Sequence, residues 1–249
     1  MKKLLTLLLA IAFLFQSCGN GTEKKATEKI QQTTQVIEKD NIEDDNTEMN
    51  DEPDEDDFVY PETGNKASDF MPKMTIYDYD IQYEAKGDLN NDGLEDIVVI
   101  LRNKEIKTAQ RPMLILLRNK DKTYRLDKVS NVTMPKEYNE HDFKLYDTED
   151  ISIENGELKI QLYSIGPSGN CFADFKYFGN ELVLVSYEGY FRGAGGHSSL
   201  TYDFEKEQLT ANTTDFIDDE ETTSSEIIPL KKKKYLFENT SITDLFNEE

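Results

Sequence analysis

From Ala67 onward the chain carries its apolar residues in short runs, each closed by polar or turn-forming residues and none long enough for a packed helix. Ile97-Val98-Val99-Ile100-Leu101 and Met113-Leu114-Ile115-Leu116-Leu117 are unbroken five-residue stretches. Leu158, Ile160 and Leu162 alternate with Lys159, Gln161 and Tyr163, the period-two signature of a half-buried strand. Gly179-Asn180 separates Phe172–Phe178 from Leu182–Tyr187, and Glu205–Gln208 separates Leu200–Phe204 from Leu209–Phe216. Asn155-Gly156 marks a further turn between Ile151–Ile153 and Leu158, so three hairpins are expected. Strands that follow one another without long amphipathic helices exclude βαβ units and require antiparallel order. The expectation is an all-β or mainly β domain, an antiparallel meander or sandwich of about eight to ten strands. Short helical turns are expected near Ser68–Met74 and Ile242–Phe246. The alternating Tyr and Phe residues suit a pleated face.

The residues ahead of this domain differ in kind. Lys2-Lys3, an apolar run from Leu4 to Phe15 and then Gln16-Ser17-Cys18 have the build of a secretory signal. About a dozen apolar residues are too few for a bilayer core that takes roughly 20. Phe15-Gln16-Ser17-Cys18 resembles the lipobox of bacterial lipoproteins, and that resemblance implies cleavage before Cys18 and acylation of Cys18, for example with palmitate. It assigns 1–17 to a signal peptide and makes the mature protein a soluble body held to a membrane by lipid. Gly19 stands where Asp marks inner-membrane retention in some of these lipoproteins, so the resemblance favours the outer membrane of a bacterial cell envelope.

Residues 18–66 are rich in Thr, Glu, Gln, Asn and Asp, and Asp51, Glu52, Asp54, Glu55, Asp56 and Asp57 form an acidic block. Such a segment buries too little apolar surface to offset its ordering entropy and is expected to be a disordered tether. As a flexible coil of about 48 residues it reaches about 40 Å. The net charge of -22 excludes nucleic acid as a partner and opposes adsorption to anionic lipid. Lys231–Lys234 is the one basic cluster, expected at a solvated strand edge. With Cys18 assigned to the anchor, Cys171 is a lone thiol with no internal partner, expected to be buried.

Gly87-Asp88-Leu89-Asn90-Asn91-Asp92-Gly93-Leu94-Glu95-Asp96 is the strongest chemical signal. Alternate residues of a tight loop can converge Asp88, Asn90 and Asp92 on one cation, with Asp96 four residues on, while Gly93 permits the sharp reversal. The carbonyl of Leu94 can add a further oxygen. Hard oxygen ligands without His or Cys select Ca²⁺. An EF-hand is excluded: its twelfth position falls on Val99, and a strand follows where a helix is required. The ladder running straight into an apolar strand resembles the calcium loops of FG-GAP and VCBS repeats, which implies Asp88, Asn90, Asp92 and Asp96 as side-chain ligands and Leu94 through its carbonyl. That family builds β-propellers of about four to eight blades, and this chain holds a single copy of the ladder, leaving a partial propeller-like arrangement as the alternative architecture. The metal-free alternative is a turn whose Asx side chains bond local backbone.

Gly193-Ala194-Gly195-Gly196-His197 lacks the Lys-Ser/Thr pair of a phosphate loop and is expected to be a hairpin connection. Tyr187, Tyr190, Phe191, Arg192 and His197 around it form a possible recognition rim, with Tyr190, Arg192 and His197 as the candidate residues of a recognition loop. No catalytic residue is assigned. These features together describe a membrane-anchored envelope lipoprotein whose β domain, 67–249, is a non-enzymatic binding or structural module for an envelope protein or a glycan. The alternative is an envelope hydrolase acting on a glycan or peptide through carboxylates not yet identified.

Overall fold

In the computed structural model the residues described are 59–73, 78–166, 169–193, 195–217 and 220–245, all within the compact unit Asn50–Glu249. Cys18, the acidic block and residues Met74 and Phe246 lie outside them. Twelve strands form two antiparallel sheets, two more than the upper end of the sequence expectation. The first sheet contains β1 (Thr63–Gly64), β2 (Tyr79–Gly87), β3 (Asp96–Asn103), β4 (Met113–Arg118) and β5 (Tyr124–Ser130), in the order β1-β5-β4-β3-β2. The second is an uninterrupted meander of β6 (Thr148–Glu154), β7 (Glu157–Tyr163), β8 (Asn170–Phe178), β9 (Glu181–Gly193), β10 (Gly196–Asp203), β11 (Gln208–Ile217) and β12 (Glu220–Pro229). No helix among the described residues is long and apolar enough to cross a membrane.

The two kinds of apolar run belong to two kinds of sheet. β3 and β4 are apolar on both faces because the first sheet is covered on both. Val98, Ile100, Met113 and Ile115 face a core shared with Leu158, Ile160, Leu162, Ala173, Phe175 and Leu184 of the second sheet. Ile97, Val99, Leu114 and Leu116 face the opposite way, into a smaller core with Ala67 and Phe70, against which Tyr60 and Met71 pack. Residues 59–73 therefore form a strap over the outer face of the first sheet, with a short 3-10 turn at Ala67–Phe70 and a bridge between Val59 and Lys73. The fold thus begins ahead of Ala67. In the second sheet β7 and β8 alternate buried and half-buried residues, because their outer face meets solvent. Each large aliphatic or aromatic side chain fully buried between the sheets contributes about 1.5–3 kcal/mol.

Two devices close the sandwich. Arg111, in the connection before β4, makes a bidentate pair with Glu149 of β6 at 2.6 and 2.9 Å, with both side chains nearly inaccessible at 2% and 1%. The guanidinium also donates to the Pro135 carbonyl at 2.7 Å and to Gln82 Oε1 at 3.2 Å, so four of its five donors are used. At the other end, the residues after β12 return to the core: Phe237 packs edge-on against Phe175 at 5.6 Å, and Ile242 and Leu245 join the shared cluster. Thr133 donates to the Phe237 carbonyl and Cys171 Sγ to that of Ile242. Lys231–Lys234 leads into this segment outside any strand, with Lys234 paired to Glu181 and Lys233 set 4.6 Å over the Tyr235 ring.

Candidate functional site

The connection between β2 and β3 holds Asp88, Asn90, Asp92 and Leu94 of the proposed calcium loop, and the fifth residue, Asp96, opens β3. Its shape is set by side chains that accept from the loop's own backbone. Asp88 accepts from the N–H groups of Asp92 at 3.0 Å and Gly93 at 2.9 Å. Asn90 Oδ1 accepts from the same Asp92 N–H at 3.0 Å, and Asp92 Oδ1 from Leu94 N–H at 2.9 Å. Two side-chain oxygens therefore meet at one amide. Asn90 Nδ2 donates to the other oxygen of Asp92 at 3.0 Å. Asn91 and Gly93 take the left-handed backbone places, at φ 60 and 84°.

Asp96 faces the other way. It is fully buried at the first residue of β3; its Oδ2 accepts from Leu89 N–H at 2.9 Å and Asn90 N–H at 3.4 Å, and its Oδ1 from Arg118 N–H of β4 at 2.9 Å. Burial raises its pKa, and the three backbone donors oppose that rise without cancelling it. Leu89, with no exposed surface, inserts into the shared core.

The loop also touches the second sheet. Gly156, in the β6–β7 turn at φ 77°, lies so close to Asn91 that a Cβ there would fall 2.3 Å from Asn91 Nδ2. A Cβ on Gly87 would fall 2.7 Å from Ile153 Cγ2 of β6. The Asx-rich loop is thus a joint between the two sheets. Among the described residues no three His, Cys, Asp or Glu side chains form a metal-holding group. Each of the accepting loop oxygens keeps a second lone pair, and the all-oxygen set of Asp88, Asn90 and Asp92 fits a hard cation.

The candidate recognition residues lie on strands and not in a loop. Tyr190 and Arg192 belong to β9 and His197 to β10, with His197 directly opposite Arg192. The Arg192 guanidinium sits 5.2 Å over the Tyr190 ring. His197 lies between Tyr190 at 5.4 Å and Phe216 at 5.9 Å, and Phe216 is half exposed. Phe216 escaped the sequence reading because it lies 19 residues from His197 and joins it only through β10–β11 pairing. Tyr187 is not part of this cluster; it is buried at 1% against Tyr202, beside Cys171. His141 is exposed in the 131–147 connection, its N–H bonded to Asn139 Oδ1 at 2.9 Å.

A cleft of about 340 Å³ lies on the outer side of the first sheet, between the strap and β2, with Glu84 as its carboxylate beside Lys66, Lys86 and Tyr124. In comparisons with known proteins the chain matches no family model, no curated protein and no solved structure.

Proposed function

We propose that this is a lipid-anchored protein of the bacterial cell envelope, held to the membrane through Cys18, with a non-catalytic β domain that binds or organises other envelope components. In this reading Ca²⁺ steadies the Asp88–Asp96 loop. Asp88, Asn90 and Asp92 would hold the ion with the Leu94 carbonyl. Asp96, proposed as a ligand from the sequence, would instead tie the loop to β4 from the buried side. The resemblance to FG-GAP and VCBS loops points the same way. The observation that carries the calcium reading is the donor set, with Asp88, Asn90 and Asp92 gathered at alternate places of one tight loop that joins both sheets.

With a dissociation constant of about 0.1 mM and about 1 mM free Ca²⁺, binding stabilises the fold by about 1.4 kcal/mol. For a domain of about 180 residues this raises Tm by about 3–6 °C. Melting the full chain in calcium and in EGTA tests it: the wild type gains the rise, and Asp88→Ala or Asp92→Ala removes it. Identical wild-type melting in the two conditions refutes the calcium role. The anchor is tested separately, by incorporation of labelled palmitate that Cys18→Ser abolishes.

A further inference from the structure

The two sheets have four edges, and three are short or packed against another element. β1 covers one with only two residues. β2 and β6 pack on each other, with Gly87 seated against Ile153. The fourth edge, β12, is bare. It runs ten residues, about 34 Å at the usual strand rise. It pairs with β11 through ten consecutive positions without a bulge, and no described strand pairs with its other side. Glu220 to Ile227 are all exposed, so neither face of the strand is covered. Half of its backbone N–H and C=O groups point away from β11, as in any edge strand of an antiparallel sheet. Edge strands are ordinarily blunted by a bulge, charged side chains, a proline or a covering element. β12 has no bulge, and among the described residues nothing covers it; its edge carries three glutamates, which repel acidic strands and not basic ones, and Pro229 interrupts only its last position.

We propose that β12 is a docking edge that takes an extended, basic segment of another protein as an eighth strand of the second sheet. The strand's chemistry selects the occupant. β12 carries Glu220, Glu221 and Glu226 and no basic residue, and its neighbour β11 adds Asp215 and no cation. Glu220 and Glu226 share one face of β12, so Lys or Arg at alternating places on an incoming strand would stand opposite both, and β-branched residues on the other face would stand opposite Thr223. A second copy fits less well. Two-fold pairing of β12 on itself about Thr223 and Ser224 sets Glu221 opposite Glu226, between chains of net charge -22 each. Main-chain bonding supplies affinity and the acids supply selection, the division of labour found wherever a strand is added to a sheet. This deepens the reading of a binding module and rests on it to that extent. It needs neither the calcium loop nor the lipid, so each can fail alone.

The test uses the full chain and fluorescent ten-residue peptides that alternate lysine with threonine and valine. The controls are the same peptide with glutamate for lysine, and the lysine peptide N-methylated on alternate backbone nitrogens in both frames. The lysine peptide should bind at least about tenfold more tightly than the glutamate peptide. It should slow amide exchange in Glu220–Ile228 and leave β3 unchanged. Methylation in one frame should abolish binding, and Glu220→Lys with Glu226→Lys should reverse the preference between the two peptides. Equal binding of both methylated peptides and the parent, protection elsewhere in the molecule, or no binding overturns the proposal. A concentration-dependent dimer that protects β12 overturns the choice of occupant in favour of a second copy. The methylation arm needs no variant, so misfolding of the substituted chain cannot shelter the claim.

Discussion

Replacing Asp96 by Asn tests whether the loop is held by its carboxylate. Both oxygens of Asp96 act as acceptors, one for Arg118 N–H at 2.9 Å and the other for Leu89 and Asn90 N–H at 2.9 and 3.4 Å. Asparagine supplies a single oxygen. Turned toward Leu89 and Asn90, it sets an NH₂ group against Arg118 N–H; turned the other way, it strands two donors. The first arrangement costs less, and one buried amide left without an acceptor costs about 1–3 kcal/mol. Relief of the buried charge recovers part of this, because burial already raises the Asp96 pKa. A net loss of about 1 kcal/mol lowers Tm by about 2–4 °C for a domain of this size. Calorimetry in EGTA isolates the effect from any ion, and amide exchange at Arg118 should quicken in the variant. If Asp96→Asn melts within about 1 °C of the wild type and the Arg118 amide exchanges no faster, the carboxylate is not what holds the loop to β4.

Further outcomes follow from other buried groups. Glu149→Ala leaves the Arg111 guanidinium charged inside the protein and should cost about 3–5 kcal/mol, while replacing both partners by apolar residues of similar volume should cost far less; denaturant melts of the three chains measure this. Burial pushes the Cys171 thiol from 9.0 up to about 12, so the unfolded chain releases its proton at lower pH than the native one, and stability falls as pH climbs from about 9 toward 12. In accordance, a disulfide reagent at pH 8 should modify Cys171 only as fast as the native state opens, and prompt modification would contradict its burial. Gly156→Ala forces a side chain into the left-handed region and onto Asn91, and a loss of at least about 1–2 kcal/mol is expected in a thermal melt.

The parts of the fold legible in the sequence were the strands with at least one fully buried face. β7 and β8 alternate because one side is wet, and β3 and β4 are continuous runs because neither side is. The turns at Asn155-Gly156 and Gly179-Asn180 fall where their left-handed backbone is needed, at φ 55, 77 and 64° for Asn155, Gly156 and Gly179. β12 was illegible for the opposite reason: exposed on both faces, Glu-Glu-Thr-Thr-Ser-Ser-Glu has no apolar period to detect. β2 was obscured by the register shift between Ile81 and Tyr83, and β1 by its length of two residues. Of the loop, the ladder of oxygen-bearing residues was visible, but its docking on Arg118, Ile153 and Gly156 depends on strands far along the chain. The Arg111–Glu149 pair could not be read from the sequence, since 38 residues and a change of sheet separate its members.

The return of Phe237, Ile242 and Leu245 into the space between the sheets sets the order in which the molecule can be finished. Hairpins of the second sheet can zip one after another as the chain emerges, each strand beside the one made before it. The wedge that seals them comes after all twelve strands. Until it arrives, Phe175 and its neighbours stand open to water, and a chain halted before Tyr235 is a half-shut clasp with its greasiest surface showing.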